Sequence, residues 1–194
     1  EGICHYVVER FDTGDEMWFE ATQLMGVSPE DKYESTLERL FDFMASSLRD
    51  EDFQKFIDRC VFCYLSGNSD MHLKNFSLSA AERGHAKLSP AYDLVCSKMY
   101  GDGDRLALPL QGDKRPDVET FAEWLSKWGN DIPERMGRVA SHLSSRLDDM
   151  LDSVPGFDGK NVRWKERIRT NVLPVCERTL KAFGSPEQGG IPGM

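Results

Sequence analysis

Apolar residues in this chain recur mostly at three- and four-residue spacings, which predicts helices. The strongest case runs from Glu51 to Leu65. There Phe53, Phe56, Ile57, Cys60, Val61, Tyr64 and Leu65 share one face, while Phe62 and Cys63 make the other side apolar as well. A helix apolar nearly all round belongs at the centre of its domain. Before it, Leu37, Leu40, Phe41 and Met44 mark a helix from Glu34 to about Leu48. Met17 to Met25 reads as a short helix stopped by Gly26, and Pro29 suits a first-turn position after Ser28. Beyond Pro116 two stripes follow: Val118, Phe121, Ala122 and Leu125, then Met136, Val139, Ala140, Leu143, Leu147, Met150 and Leu151. The second stripe could dock a partner, but core packing is the simpler use. A last helix starts near Asn161, and Pro174 argues against its continuity.

Strand signals are short. Cys4 to Val8 is a β-branched run closed by a turn at Thr13-Gly14-Asp15. Phe76–Leu78 and Ala86–Leu88 can pair across Glu82-Arg83-Gly84. Leu106 to Leu110 reads as a strand that Pro109 confines to an edge. The expected fold is therefore mainly α with small β hairpins, an α+β body over residues 1–183, followed by a glycine- and proline-rich tail at 184–194. The chain starts at Glu1, inside what reads as a strand, so a preceding segment is expected.

The chain has 194 residues, with 33 acids against 24 Lys and Arg, a net charge of −9. Such a surface argues against direct binding of duplex nucleic acid, which needs a basic face. No run of about 18 apolar residues suggests a membrane span. The five cysteines, at 4, 60, 63, 96 and 176, do not form a disulfide framework, and reduced thiols in a cytoplasmic protein are expected. The Cys60-x-x-Cys63 pair lies in an apolar helical run and reads as core. Asp102 and Asp104 in Gly101-Asp102-Gly103-Asp104 lack the remaining ligands of a calcium loop. His5, His85 and His142 have no partner pattern.

The candidate chemistry lies where the central helix ends. Gly67-Asn68-Ser69-Asp70-Met71-His72-Leu73-Lys74-Asn75 is abruptly polar, and Asp93 follows in the apolar stretch Pro90-Ala91-Tyr92-Asp93-Leu94-Val95. A carboxylate and an amide at the spacing of Asp70 and Asn75, with a second carboxylate, are the inventory of phosphoryl transfer. One acid accepts a hydroxyl proton, and Asn plus Asp hold Mg²⁺ against the phosphates. Taken singly, Asp and Asn after a helix more often only turn the chain.

The run Gly67 to Ser77 resembles the G-N-x-D-x-H-x-K-N-F-S catalytic loop of the HipA family of bacterial serine/threonine kinases. Leu88-Ser89-Pro90-Ala91-Tyr92-Asp93-Leu94 is similar to that family's metal-binding segment, Val8 to Asp12 to its hinge, and Leu106 to Gly112 to the strand that follows. The loop is also more distantly similar to that of phosphatidylinositol kinases. The resemblance implies the carboxy-terminal lobe of a kinase-like fold. It implies Asp70 as catalytic base and Asn75 and Asp93 as Mg²⁺ ligands. Glu9, Arg10 and Phe11 become the adenine hinge, and His72, Lys74 and Tyr92 the lining of the ATP pocket. It further implies a protein substrate such as an aminoacyl-tRNA synthetase, and a helix-turn-helix antitoxin as partner, which would make the DNA contact. The glycine-rich cover and strand lysine of a kinase are missing, so the amino-terminal lobe is expected elsewhere. A non-catalytic interaction subunit with a kinase-like lobe is the alternative.

Overall fold

The structure is a computed structural model that describes residues 9–13, 15–79, 85–100, 105–154 and 162–185. The strand expected at Cys4–Val8, the turns at Gly14 and Glu82–Gly84, His5, the Gly101–Asp104 loop and most of the 184–194 tail lie outside these residues. Strand β1 (Trp18–Glu20) runs into helix α1 (Ala21–Leu24). Helices α2 (Leu37–Ser47) and α3 (Asp50–Ser66) follow, then strand β2 (Ser77–Ser79), α4 (Val118–Leu125), α5 (Ile132–Ser153) and α6 (Val162–Phe183). The body is mostly helical, with one small antiparallel sheet of two strands.

The central helix is α3. Phe56, Ile57, Cys60, Val61 and Leu65 are fully buried, and each such side chain contributes about 1.5–3 kcal/mol on leaving water. Three acids, Asp50, Glu51 and Asp52, occupy its first turn, where the helix dipole favours negative charge. It packs against α2, α5 and α6. Phe41 of α2 lies 4.7 Å from Phe56 and 4.6 Å from Trp124 of α4, and Phe56 lies 5.1 Å from Phe76 at the entry to β2. Arg135 of α5 reaches across to Gln54 at 2.7 Å and Asp58 at 3.2 Å on α3. The α2 and α4 helices are capped by the side chains of Thr36 and Asp117. The C-x-x-C pair is core packing: Cys60 and Cys63 are buried, and burial pushes both thiols up, Cys63 to about 12.

Three expectations need correction. The segment Met17–Met25 is not one helix: Trp18, Phe19 and Glu20 pair with Ser79, Leu78 and Ser77 before the helix begins. Residues 106–110 form no strand. Leu110 closes a turn on Asp113, and the Pro109 carbonyl caps α2 by accepting from Leu37 N. The last helix runs through Pro174 without a break. Among the described residues, no helix is long and apolar enough to cross a membrane.

Candidate active site

The polar loop is fixed at its root by the end of α3. Gly67 caps the helix at φ +76°, a left-handed conformation in which glycine carries no steric cost. A Cβ there would lie 3.3 Å from Cys96 Sγ and 3.4 Å from Lys98 Cβ, so the glycine also lets the 96–98 segment close on the loop. Ser97 then knots the two segments together. Its Oγ accepts from Ser69 N at 2.8 Å and Asp70 N at 3.1 Å. Ala107 N donates to Ser69 O at 2.8 Å from the far side.

Asp70 is half-exposed. Tyr33 Oη donates to its Oδ1 at 3.1 Å, and His72 Nε2 lies 4.0 Å from its Oδ2. The His72 ring is buried edge-on to Tyr33, 5.2 Å between centroids. Burial, aided by the nearby Lys32 ammonium, lowers its pKa, so the ring is neutral near pH 7 and its contact with Asp70 is no ion pair.

A three-residue turn at Leu73–Asn75 then swings the Asn75 amide inward. Its Oδ1 accepts from His72 N at 3.0 Å, and its Nδ2 donates to Asp93 Oδ2 at 2.8 Å. Asp93 sits at φ +54°, a conformation Asp tolerates better than most residues. Asp93 and its neighbours Leu94 and Val95 are exposed, so the apolar context read from sequence faces outward. Tyr92 spends its hydroxyl on Lys74 O at 2.7 Å and Ser77 Oγ at 2.8 Å, and burial pushes that hydroxyl up to about 12. The Lys74 ammonium lies 3.8 Å from Glu20 Oε2.

Six of the nine candidate residues, Asp70, His72, Lys74, Asn75, Tyr92 and Asp93, are thus drawn together on one loop and the segment facing it. Phe11 joins them through its ring, 5.4 Å from Tyr92 and 5.3 Å from Trp18. Glu9 and Arg10 are exposed and stand apart; the Arg10 guanidinium forks onto Asp12 at 2.8 and 2.7 Å. Tyr33 and Ser97 were not legible as site residues. They reach the loop from 37 and 27 positions away, and no local spacing marks either. Among the described residues, no group of three or more His, Cys, Asp and Glu could hold a metal. Asn75 turns its Nδ2 to the Asp93 carboxylate while its Oδ1 accepts from His72 N; an amide and a carboxylate on adjoining side chains are nonetheless the donor types that suit a magnesium ion completed by phosphates and water.

The HipA-like C-terminal domain family matches residues 1–155. The serine/threonine-protein kinase toxin HipA of Shewanella oneidensis is 26% identical over 134 residues, covering 66% of this chain and 31% of that protein. Two Sinorhizobium fredii proteins provisionally named as kinases are also similar. Y4dM is 41% identical over 86 residues, covering 44% of this chain and 21% of its own length. Y4mE is 36% identical over 139 residues, covering 68% and 33%. The chain therefore spans about a third or less of the curated relatives it matches. In fold it is similar to the solved structure of S. oneidensis HipA with HipB and operator DNA, with a TM-score of 0.76 at 23% identity, over 89% of this chain and 48% of that one. The kinase-like carboxy-terminal lobe expected from sequence is the fold observed, and the chain belongs to the HipA-like C-terminal domain family of kinase relatives.

Proposed function

We propose that this chain is the catalytic-loop lobe of a cytoplasmic, ATP- and Mg²⁺-dependent serine/threonine protein kinase of the HipA toxin type. The observation that carries the reading is the joining of three groups on one loop and the segment facing it: Asp70 held by Tyr33, and Asn75 bonded at 2.8 Å to Asp93. Asp70 takes the proton of the acceptor hydroxyl. The hydroxyl oxygen forms a bond to the γ-phosphorus as the bond from that phosphorus to the β,γ-bridging oxygen breaks, and ADP leaves. Asn75 and Asp93 would hold magnesium, which when bound neutralises charge on the phosphates. Lys74 lies at the loop's exposed edge, within reach of a phosphate oxygen once Glu20 releases it. Phe11, tilted against Tyr92, offers an apolar shelf for adenine, with Glu9 and Arg10 contributing backbone groups. Substrate and partner follow by analogy. A protein hydroxyl, in the family that of an aminoacyl-tRNA synthetase, receives the phosphate, and a helix-turn-helix antitoxin restrains the enzyme.

The test is transfer of labelled γ-phosphate by the full-length protein, beside an Asp70→Asn copy. Loss of a positioned general base costs about 10²–10⁴ in rate. Labelling that survives Asp70→Asn sinks the assignment of the base. Failure to bind Mg-ATP would favour the non-catalytic interaction subunit instead.

A further inference from the structure

Asp70 also opens onto a cleft of about 360 Å³ that neither Asn75 nor Asp93 lines. Its walls include Ser97 and two cations, Arg105 and Lys114, and its rim carries Tyr33 and Tyr100, which are 41% and 62% exposed. We propose that this cleft receives the acceptor polypeptide and selects a hydroxyl residue flanked by carboxylates, with Arg105 and Lys114 as the specificity-determining groups. The proposal deepens the phosphotransfer reading and rests on it.

Charge is the first argument. In a chain of net charge −9, Arg135, Arg138, Lys165 and Arg169 are each held by an acid. Among the described residues, the Arg105 guanidinium and the Lys114 ammonium have no ion-pair partner, although both are exposed. Two unspent cations face one cleft beside the proposed base. Rigidity is the second argument. Leu106 N donates to Lys114 O at 2.8 Å, which ties the two cationic segments together. Ala107 N donates to Ser69 O at 2.8 Å, which ties both to the loop that carries Asp70. The distance from cations to base is therefore set by backbone rather than by long side chains alone. The rim is the third. Exposed tyrosines supply rigid amphipathic contact area at low entropic cost, which suits a peptide chain. Two cations are too few to hold a nucleic-acid backbone, whose affinity grows with each phosphate neutralised. The acceptor hydroxyl is neutral and can approach Asp70, while its flanking carboxylates meet Arg105 and Lys114.

The experiment uses the full-length protein and three fluorescein-labelled peptides with one central serine, flanked by Asp and Glu, by Ala, or by Lys. Anisotropy gives Kd without nucleotide, and phosphorylation gives kcat/KM. The acidic peptide is expected to bind about tenfold tighter than the alanine one, with the advantage falling as salt rises. Arg105→Glu combined with Lys114→Glu should reverse the preference toward the lysine peptide, and the double Gln variant should abolish it without reversal. A protein that phosphorylates all three peptides equally, or whose acidic preference survives the charge reversal, overturns the proposal and leaves the kinase reading intact. Acidic-peptide binding that depends on Arg105 and Lys114, with no transfer to any peptide, keeps the cleft and overturns the kinase. Neither binding nor transfer overturns both.

Discussion

Burial decides the charge of His72, and with it the field around the proposed base. The ring is 4% exposed, and desolvation, then the Lys32 charge, lowers its pKa in the folded state. The unfolded chain therefore takes up this proton at a higher pH than the folded one. The associated stability is fully present above about pH 6.5, the unperturbed imidazole value, and is lost as pH falls from there through the folded value. Urea midpoints measured from pH 8 to 5.5 should drop over that window, and His72→Gln should flatten the slope while lowering the plateau. Equal slopes in both proteins would mean that the ring protonates in place. Tyr33 acts by a different route. Its hydroxyl is a donor to Asp70 Oδ1 at 3.1 Å, so it positions the carboxylate, a role apart from the contact area its ring offers at the cleft rim. Tyr33→Phe is expected to lower kcat about tenfold, equivalent to roughly 1.4 kcal/mol, with Mg-ATP affinity unchanged. A matching rise in the Kd for Mg-ATP would show that the loop itself had moved. The contrast between these residues also marks what a sequence can show. Asp70, His72, Lys74 and Asn75 were legible because six consecutive positions carry them. Tyr33 and Ser97 were not, because only the folded chain brings them to the loop.

At the scale of elements, the periodic helices were legible and the sheet was not. Leu37, Leu40, Phe41 and Met44, and the apolar face of α3, are buried as their spacing implies, because a continuous stripe has one way to leave water. Trp18–Glu20 carries no such stripe; its state is set by Ser77–Ser79, which needs a hydrogen-bonded partner 59 positions away. The Ala86–Leu88 pairing was half right. Leu88 bridges Leu78 antiparallel, while Ala86 bridges Leu48 instead. The same dependence on distant partners makes the end of α3 the most vulnerable joint. Gly67 combines φ +76° with a close approach to Cys96 and Lys98. Gly67→Ala places a side chain in the left-handed region, at about 1–2 kcal/mol, and presses on the segment that carries Ser97. Chemical denaturation should report that loss, and the proposed phosphotransfer should fall further than stability alone explains. A variant of wild-type stability and activity would mean that the 96–98 segment is free to shift.

The whole molecule extends past the family match. That match ends at residue 155, whereas α6 begins at Val162. Yet α6 buries Val172, Val175, Cys176 and Thr179, and it packs on α3, α4, α5 and the turn at Ser97–Met99. Its main neighbour is α5, whose Ala140, Leu143, Leu147 and Leu151 are buried. Without α6, that apolar face and part of α3 would meet water. At about 1.5–3 kcal/mol for each large side chain re-exposed, a handful of residues matches the 5–15 kcal/mol that holds an ordinary domain together. The proposed catalytic loop is exposed to the same loss, since α6 packs against the turn whose Ser97 hydroxyl accepts from Asp70 N at 3.1 Å. A fragment of residues 1–155 should therefore lack a cooperative thermal transition and bind the hydrophobic dye ANS. The same chain carried through residue 185 should melt in one step and bind little dye. A monomeric, cooperatively melting 1–155 fragment would reduce α6 to an appendage, and the support of the Ser97 turn would then come from the end of α3, where Lys98 N donates to Gly67 O at 3.1 Å.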